Sequence, residues 1–250
     1  MKVSIITAVY NNKETIQDAI DSVLNQSYKN IEYIIIDGAS IDGTIETIKS
    51  YGDKITKFIS EPDRGIYDAM NKGVALATGD VIGILNSDDF YIDEHVIEKV
   101  INIFQEEKVD SVYADLVFVK PNNLDKTIRY YNSSKFNPSK FAYGWMPAHP
   151  TFFVKQKIYK KYGVFKTDYK IAADYEILVR FLEKYKISYY YIQLPIIKMR
   201  IGGVSTSGIK SNYILNKEII RACKENGIYT NWPKVLSKYP SKIMGLFIKK

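Results

Sequence analysis

Between Val3 and Glu107 the chain alternates short runs of apolar, β-branched residues with stretches whose apolar residues recur at helical spacing. No other feature constrains the fold as strongly. A repeated strand–helix–strand order closes on itself as a parallel sheet with helices on its faces. The strand runs are Val3–Val9, Ile31–Ile36, Thr56–Ser60 and the short VIGIL run from Val81. Between them, Ile16, Ala19, Ile20, Val23 and Leu24 predict one helix, with Asn11 or Asn12 as its N-cap. Ile45, Ile48 and Tyr51 predict a second, capped by Asp42 or Thr44. The run IYDAMNKGVALA predicts a third and residues 93–107 a fourth.

Ligands of open parallel sheets bind beyond the carboxyl ends of the strands. The loops at those ends carry Tyr10, Asp37, Asp63 and the pair Asp88-Asp89. In a parallel sheet these loops lie on one edge and can converge. Two adjacent carboxylates repel each other and resist burial unless a cation neutralises them, and oxygen-only ligands favour Mg²⁺ or Mn²⁺, which could bridge to a diphosphate. The competing reading of Asn86-Ser87-Asp88-Asp89 is a solvated turn, since these residue types favour turns for local reasons.

Four segments in order, VSIITAVYNN, QSY-x-NIEYIIIDGAS-x-DGT, SEPDRGIYDAMNKG and ATGDVIGILNSDD, resemble the nucleotide-sugar half of family-two glycosyltransferases, inverting enzymes of the GT-A fold. The resemblance covers roughly residues 1–115. It implies a Rossmann-like, mostly parallel sheet flanked by helices, a UDP-sugar or similar donor, and Mn²⁺ or Mg²⁺. Carried over by motif, Ala8 and Tyr10 contact the nucleoside and Asp37 accepts the uracil N–H. Arg64, Asp68 and Asn71 reach towards ribose and diphosphate. Asn86, Ser87 and Asp88 face the donor, and Asp88 and Asp89 hold the metal. The chain departs from the family's D-x-D pattern, because Asn86 stands where the leading Asp would be.

The second half predicts a hairpin from strands 110–120 and 127–131 across Pro121-Asn122-Asn123, an irregular stretch 132–148, and a strand TFFVK. The stretch 132–148 reads either as a loop over the donor or as a surface connection. His149, just before TFFVK, is either structural or, by the resemblance, reaches the acceptor or metal region. Asp174 opens a helix carrying Tyr175, Leu178, Val179 and Leu182 on its inner face. An acid in a helix's first turn favours the dipole; by the resemblance it is the general base. Glu176, the reserve candidate, is expected towards solvent and within reach of Arg180, four residues on. Residues 187–200 read as one or two strands broken at Pro195. The segment Gly202-Gly203-Val204-Ser205 is a glycine-rich link or, by the resemblance, lies near the donor diphosphate. Ser205 or Ser207 caps a final helix to about Glu225. The division expected is 1–115 for the nucleotide sugar, 116–208 for the acceptor, and a helical, basic extension 209–250.

Charge sharpens this division. Residues 1–110 carry a net −10 and residues 111–250 a net +17, within a total of +7. An acidic half suits a metal site; a basic half suits an anionic partner, such as a polyprenyl-diphosphate-linked or glycan acceptor or an anionic membrane. No nucleic-acid-binding motif is present. The tail KVLSKYPSKIMGLFIKK reads as an interfacial membrane segment or as a helix packed on the body or on a second subunit. The lone Cys223 excludes an internal disulfide and reads as a packing residue. No apolar run reaches the roughly 18 residues of a membrane span. The expected place is therefore the cytoplasm, peripheral on the inner membrane face if the tail binds there. The alternative functions are a non-catalytic sugar-nucleotide-binding subunit and nucleotidyl transfer, the latter lacking the glycine-rich phosphate loop it would need.

Overall fold

The computed structural model describes residues 1–202 and 208–239. Among these residues nine strands form one sheet, in the order β3-β2-β1-β4-β8-β6-β9-β5, with β7 (Asn123–Tyr131) paired to β6. The first four are β1 (Val3–Val9), β2 (Ile31–Asp37), β3 (Lys57–Ser60) and β4 (Val81–Ile84), all mutually parallel. β8 (Phe153–Lys155) runs against both β4 and β6 (Ser111–Lys120), which restores the common direction in β6 and its parallel neighbour β9 (Tyr189–Arg200). β5 (Phe90–Tyr91) pairs antiparallel with β9. The sheet is thus mostly parallel, as expected.

The helices fall where the periodicity places them: α1 (Ile16–Leu24), α2 (Thr44–Lys49), α3 (Ile66–Leu76), α4 (Val96–Glu106), α5 (Gln156–Tyr162), α6 (Ala173–Leu178), α7 (Ile209–Glu225) and α8 (Trp232–Leu236). Their apolar stripes cover both faces of the sheet. One core packs α3, α6 and α7 on one face; the other packs α1 and α4 on the opposite face. β1 is buried at every position because it is covered on both sides. Gly73 lets α3 approach β1 closely, since a Cβ there would meet Ile6 Cγ2 at 2.3 Å.

Several local expectations change. Neither Asn11 nor Asn12 caps α1; Thr15 precedes it, and Asn12 instead accepts the Thr15 hydroxyl at 2.8 Å. Gly43 is the N-cap of α2, with Thr44 already inside the helix; the Asp42 carboxylate accepts the Thr44 N–H at 3.0 Å. β7 begins at Asn123, four residues earlier than its apolar pattern suggests. Pro195 does not break β9. The strand continues through a bulge, with Ala114 opposite Ile192 and Asp115 opposite Pro195, so the proline sits where the ladder is already irregular. Residues 132–148 are anchored: Phe141 is fully buried, and its carbonyl accepts the Tyr175 hydroxyl.

The extension packs on the body as far as residue 239. Ile219, Ala222, Cys223 and Val235 are buried in the same core as α3 and α6, so Cys223 is the packing residue its helical position suggests. Among the described residues no helix is long and apolar enough to cross a membrane. The expected Ser205 or Ser207 cap, the Gly203-Val204-Ser205 segment and the end of the lysine-rich tail lie outside the described residues.

Candidate active site

Register brings the first four strands to one edge. Val9 pairs with Asp37, Asp37 with Ser60, and Ile6 with Ile84. The loops beyond these ends touch one another. Asn12 Nδ2 donates to Ser87 Oγ at 2.8 Å, and Thr15 Oγ1 donates to the Ser87 carbonyl at 3.1 Å. The Asn11 N–H donates to Ser40 Oγ at 2.7 Å. At Gly38 a Cβ would stand 2.6 Å from Asp63 Oδ2 and 3.3 Å from the Tyr10 ring, so Tyr10, Gly38 and Asp63 form one corner. Tyr10 is 62% exposed and presents an open ring there. Asn11 and Ala39 hold positive φ angles of 46° and 63° in these loops, a conformation unusual for residues other than glycine.

Beside this corner lies the acidic turn. Asp89 is wholly buried. Its Oδ2 accepts from Asn86 Nδ2 at 2.8 Å, while its Oδ1 has no hydrogen-bond partner among the described residues. Burial, then the adjacent Asp88, push the Asp89 carboxyl well above the usual carboxylate range. Burial likewise raises Asp88. Arg200, at the end of β9, opposes both shifts: its Nη1 donates to the Asp88 carbonyl at 2.5 Å, its Nη2 pairs with Asp18, and its guanidinium lies 5.0 Å from the Phe90 ring centroid.

A divalent cation fits this turn. An orphaned buried carboxylate oxygen next to a second carboxylate is the donor chemistry a hard cation takes. Among the described residues no cluster of three or more His, Cys, Asp or Glu could hold a metal alone. One or two carboxylates suffice where substrate phosphates complete the coordination.

The remaining candidates separate. Ala8 is buried at the strand end. Asp37 is buried, and its oxygens accept from Ser60 Oγ at 2.7 Å, the Ser40 N–H at 3.0 Å and the Ser40 hydroxyl, so it braces the loop. Arg64 pairs with Asp68 at 3.0 Å on the surface, and Asp68 also accepts the Arg64 N–H at 3.1 Å. Asn71 departs from its expected role towards ribose and diphosphate. Its amide donates to the Phe165 carbonyl at 2.8 Å and accepts the Phe165 N–H at 2.9 Å, which ties α3 to the segment before α6. His149 is buried edge-on to Phe165, at 5.8 Å between ring centroids, and burial lowers its pKa to about 4. It is therefore a neutral imidazole at ordinary pH. Glu176 is not towards solvent: it is fully buried, pairing with Arg180 at 2.8 Å, as the spacing suggests, and with Lys166 at 3.3 Å.

Asp174 stands in the first turn of α6, its Oδ1 accepting the Tyr175 N–H at 2.7 Å. Burial, with a smaller push from Glu218, raises its pKa to about 6. A carboxylate poised there is matched to proton abstraction near neutral pH. Arg200 and Glu218 were not expected from the sequence. Arg200 is 112 residues from Asp88, and no local pattern links them.

Residues 4–169 match the family model for glycosyl transferase family 2. The chain belongs to glycosyltransferase family 2. As a member of that family it is a transferase enzyme. This family-2 glycosyltransferase is 32% identical over 87% of its length to an uncharacterized glycosyltransferase of Rickettsia typhi, covering 70% of that protein. It is 23% identical over 94% of its length to a PGL/p-HBAD biosynthesis glycosyltransferase of Mycobacterium bovis, covering 92%. Its fold is that of S. aureus TarS residues 1–349 in complex with UDP-GlcNAc, with a TM-score of 0.71 at 17% identity over 89% of this chain and 66% of that one. It spans 39% of a longer TarS chain. A mannosyltransferase of Pyrobaculum calidifontis, in complex with GDP-Man and Mn²⁺, gives a TM-score of 0.63 at 16% identity over 98% of this chain and 80% of that one. The GT-A architecture expected from the sequence is therefore the observed one.

Proposed function

We propose that this glycosyltransferase moves a sugar, a hexose in our reading, from a UDP-sugar to a hydroxyl of a glycan or polyprenyl-diphosphate-linked acceptor, with inversion, in cell-surface polysaccharide synthesis. The observation that carries the donor half of this reading is the buried, unpartnered Asp89 Oδ1 beside Asp88, at the edge where the Tyr10, Gly38 and Asp63 loops meet. Residues 1–115 would serve the donor and 116–208 the acceptor.

Tyr10 offers a face for the nucleobase, and the loop braced by Asp37 shapes the nucleoside pocket. Asp88 and Asp89 would hold Mn²⁺ or Mg²⁺, which when bound supplies charge neutralisation to the leaving nucleoside diphosphate. Asp174 takes the proton from the acceptor hydroxyl. That oxygen forms a bond to the anomeric carbon from the face opposite the leaving group as the carbon–oxygen bond to the diphosphate breaks. The transition state has oxocarbenium character, as in glycoside chemistry generally.

The basic second half supports an acceptor bearing phosphate, and peripheral contact of the lysine-rich C-terminus with an anionic membrane belongs to the same proposal. A thermal-shift panel of nucleotide sugars with and without Mn²⁺ tests the donor assignment. A UDP-sugar that raises the melting temperature only with Mn²⁺ supports it; stabilisation by no nucleotide sugar contradicts it.

A further inference from the structure

Three consecutive backbone N–H groups immediately before the base-bearing helix converge on one carboxylate. Glu218 Oε1 accepts the Lys170 N–H at 2.7 Å; its Oε2 accepts the Ile171 and Ala172 N–H groups, both at 2.9 Å. Glu218 is buried and lies on α7, beyond the residues 4–169 that match the family model. The same segment is gripped from the other side, where the Tyr67 hydroxyl of α3 donates to the Ile171 carbonyl at 2.5 Å.

We propose that Glu218 is the positioning residue for Asp174: from the C-terminal extension it fixes the backbone of residues 170–172 and sets the charge around the Asp174 carboxylate. This rests on the reading of Asp174 as the general base. A carboxylate that accepts three N–H groups is a geometric clamp, because each bond constrains a different peptide of the turn that aims the next side chain. Misplacing a catalytic group by about 1 Å can cost about a hundredfold in rate. The clamp also has an electrostatic side. The groups acting on Asp174 are its own N–H and that of Tyr175, and Glu218 from α7; the phenols of Tyr67 on α3 and Tyr131 on β7 are near enough that Asp174 raises them in turn. Of these, Glu218 is the acid that pushes the Asp174 carboxyl up. It therefore favours the protonated form of Asp174 and raises the basicity of its carboxylate.

The rest of α7 is fastened to the same region. Glu225 accepts from Lys166 at 2.6 Å and from the Tyr169 hydroxyl at 2.9 Å. Asn226, just past the helix, donates to Glu176 at 3.1 Å. The extension is thus built into the site.

The test is a carboxyl ¹³C NMR titration of Asp174 in the full chain, paired with hydrogen exchange of the amides of residues 170–172, in the wild type and in Glu218→Gln. The titration midpoint in the variant should fall and exchange at the three amides should quicken at least about tenfold. A purely structural Glu218 would change exchange and leave the midpoint in place, which overturns the electrostatic half; unchanged exchange overturns the clamp. If Glu218→Gln does not fold, Glu218→Asp, which keeps the acid on a shorter arm, must quicken exchange while the midpoint stays raised; unchanged exchange overturns the clamp, and a midpoint fallen to the ordinary carboxylate range overturns the electrostatic half. Neither readout depends on turnover. Activity retained in Asp174→Asn would refute the base assignment and leave the Glu218 coupling intact, whereas an unmoved midpoint would refute the coupling and leave the base assignment standing.

Discussion

Asn86 Nδ2 donates to Asp89 Oδ2 at 2.8 Å and leaves Oδ1 of the same buried carboxylate without a partner among the described residues. A buried carboxylate satisfied on one oxygen alone is costly in the protein by itself. Asn86 holds the carboxylate where a leading acid would have added a third negative charge, an arrangement that suits the metal-binding role proposed for this turn. Asn86, in the place of the leading Asp of the D-x-D pattern, orients Asp89.

Asp174 should govern the acidic limb of the rate profile. With its carboxyl raised to about 6, transfer should rise with pH through that value and level off above it. Asp174→Asn should lower kcat by at least about a hundredfold while sparing donor affinity. Stability should move the other way. The folded pKa lies above the unfolded one, so ionisation destabilises the wild type as pH rises through the interval from about 4 to about 6. Asp174→Asn should then be more stable than the wild type at pH 8, by roughly 2 kcal/mol, with the difference gone near pH 4. Urea denaturation at the two pH values measures it.

Tyr10 should matter for binding and not for folding. Its ring is 62% exposed at the strand edge. Tyr10→Ala should weaken UDP binding about tenfold, in the range of an aromatic stacked on a base, with stability changed by less than about 0.5 kcal/mol. Tyr10→Phe should bind as the wild type does. Isothermal titration with UDP should set Tyr10→Ala apart from the other two proteins.

Arg200 should act on both. It joins the Asp88 carbonyl, Asp18 and the Phe90 ring across three elements. Arg200→Lys keeps the charge but loses the planar fork, so stability should fall by about 1–2 kcal/mol and UDP affinity should drop, since the turn holding Asp88 loses its brace. Denaturant melts together with UDP titration check this; an unchanged melting midpoint and unchanged affinity would remove Arg200 from the site.

At the far edge of the sheet, Glu32 is a stability determinant without a part in the chemistry. Burial opposes its ionisation, but hydrogen bonds from Ser4, the Thr78 N–H and Lys57 carry its pKa down to about 2. Its contribution is present above about pH 4.5 and lost as pH falls towards 2. Glu32→Gln should cost about 2 kcal/mol at pH 7 and progressively less in acid.

The strand and helix order of the first half was legible because burial on both faces writes continuous apolar runs, and one-sided burial writes the helical period. The edge where the loops meet was legible for the same reason: Asp37 ends one run, and Asp63 and Asp88 lie in the loops that follow two others. What the sequence did not disclose are contacts made by single side chains across long separations. Asn71 meets Phe165 across 94 residues, and Glu218 meets Ile171 across 47. Each depends on how helices settle on the sheet, which leaves no periodic trace. Glu176 was misplaced for a related reason. An acid two positions from Asp174 looks solvent-facing on a helical wheel, but α7 and Lys166 cover that side of α6.

The most direct test of the account is isothermal titration of UDP into the wild type and into the Asp88→Asn/Asp89→Asn double variant, each with Mn²⁺ and with EDTA. Binding to the wild type should tighten at least about tenfold with Mn²⁺, and the double variant should fold but gain nothing from the metal. Equal Mn²⁺ enhancement in both proteins, or UDP binding to the wild type that is indifferent to Mn²⁺, would contradict the account.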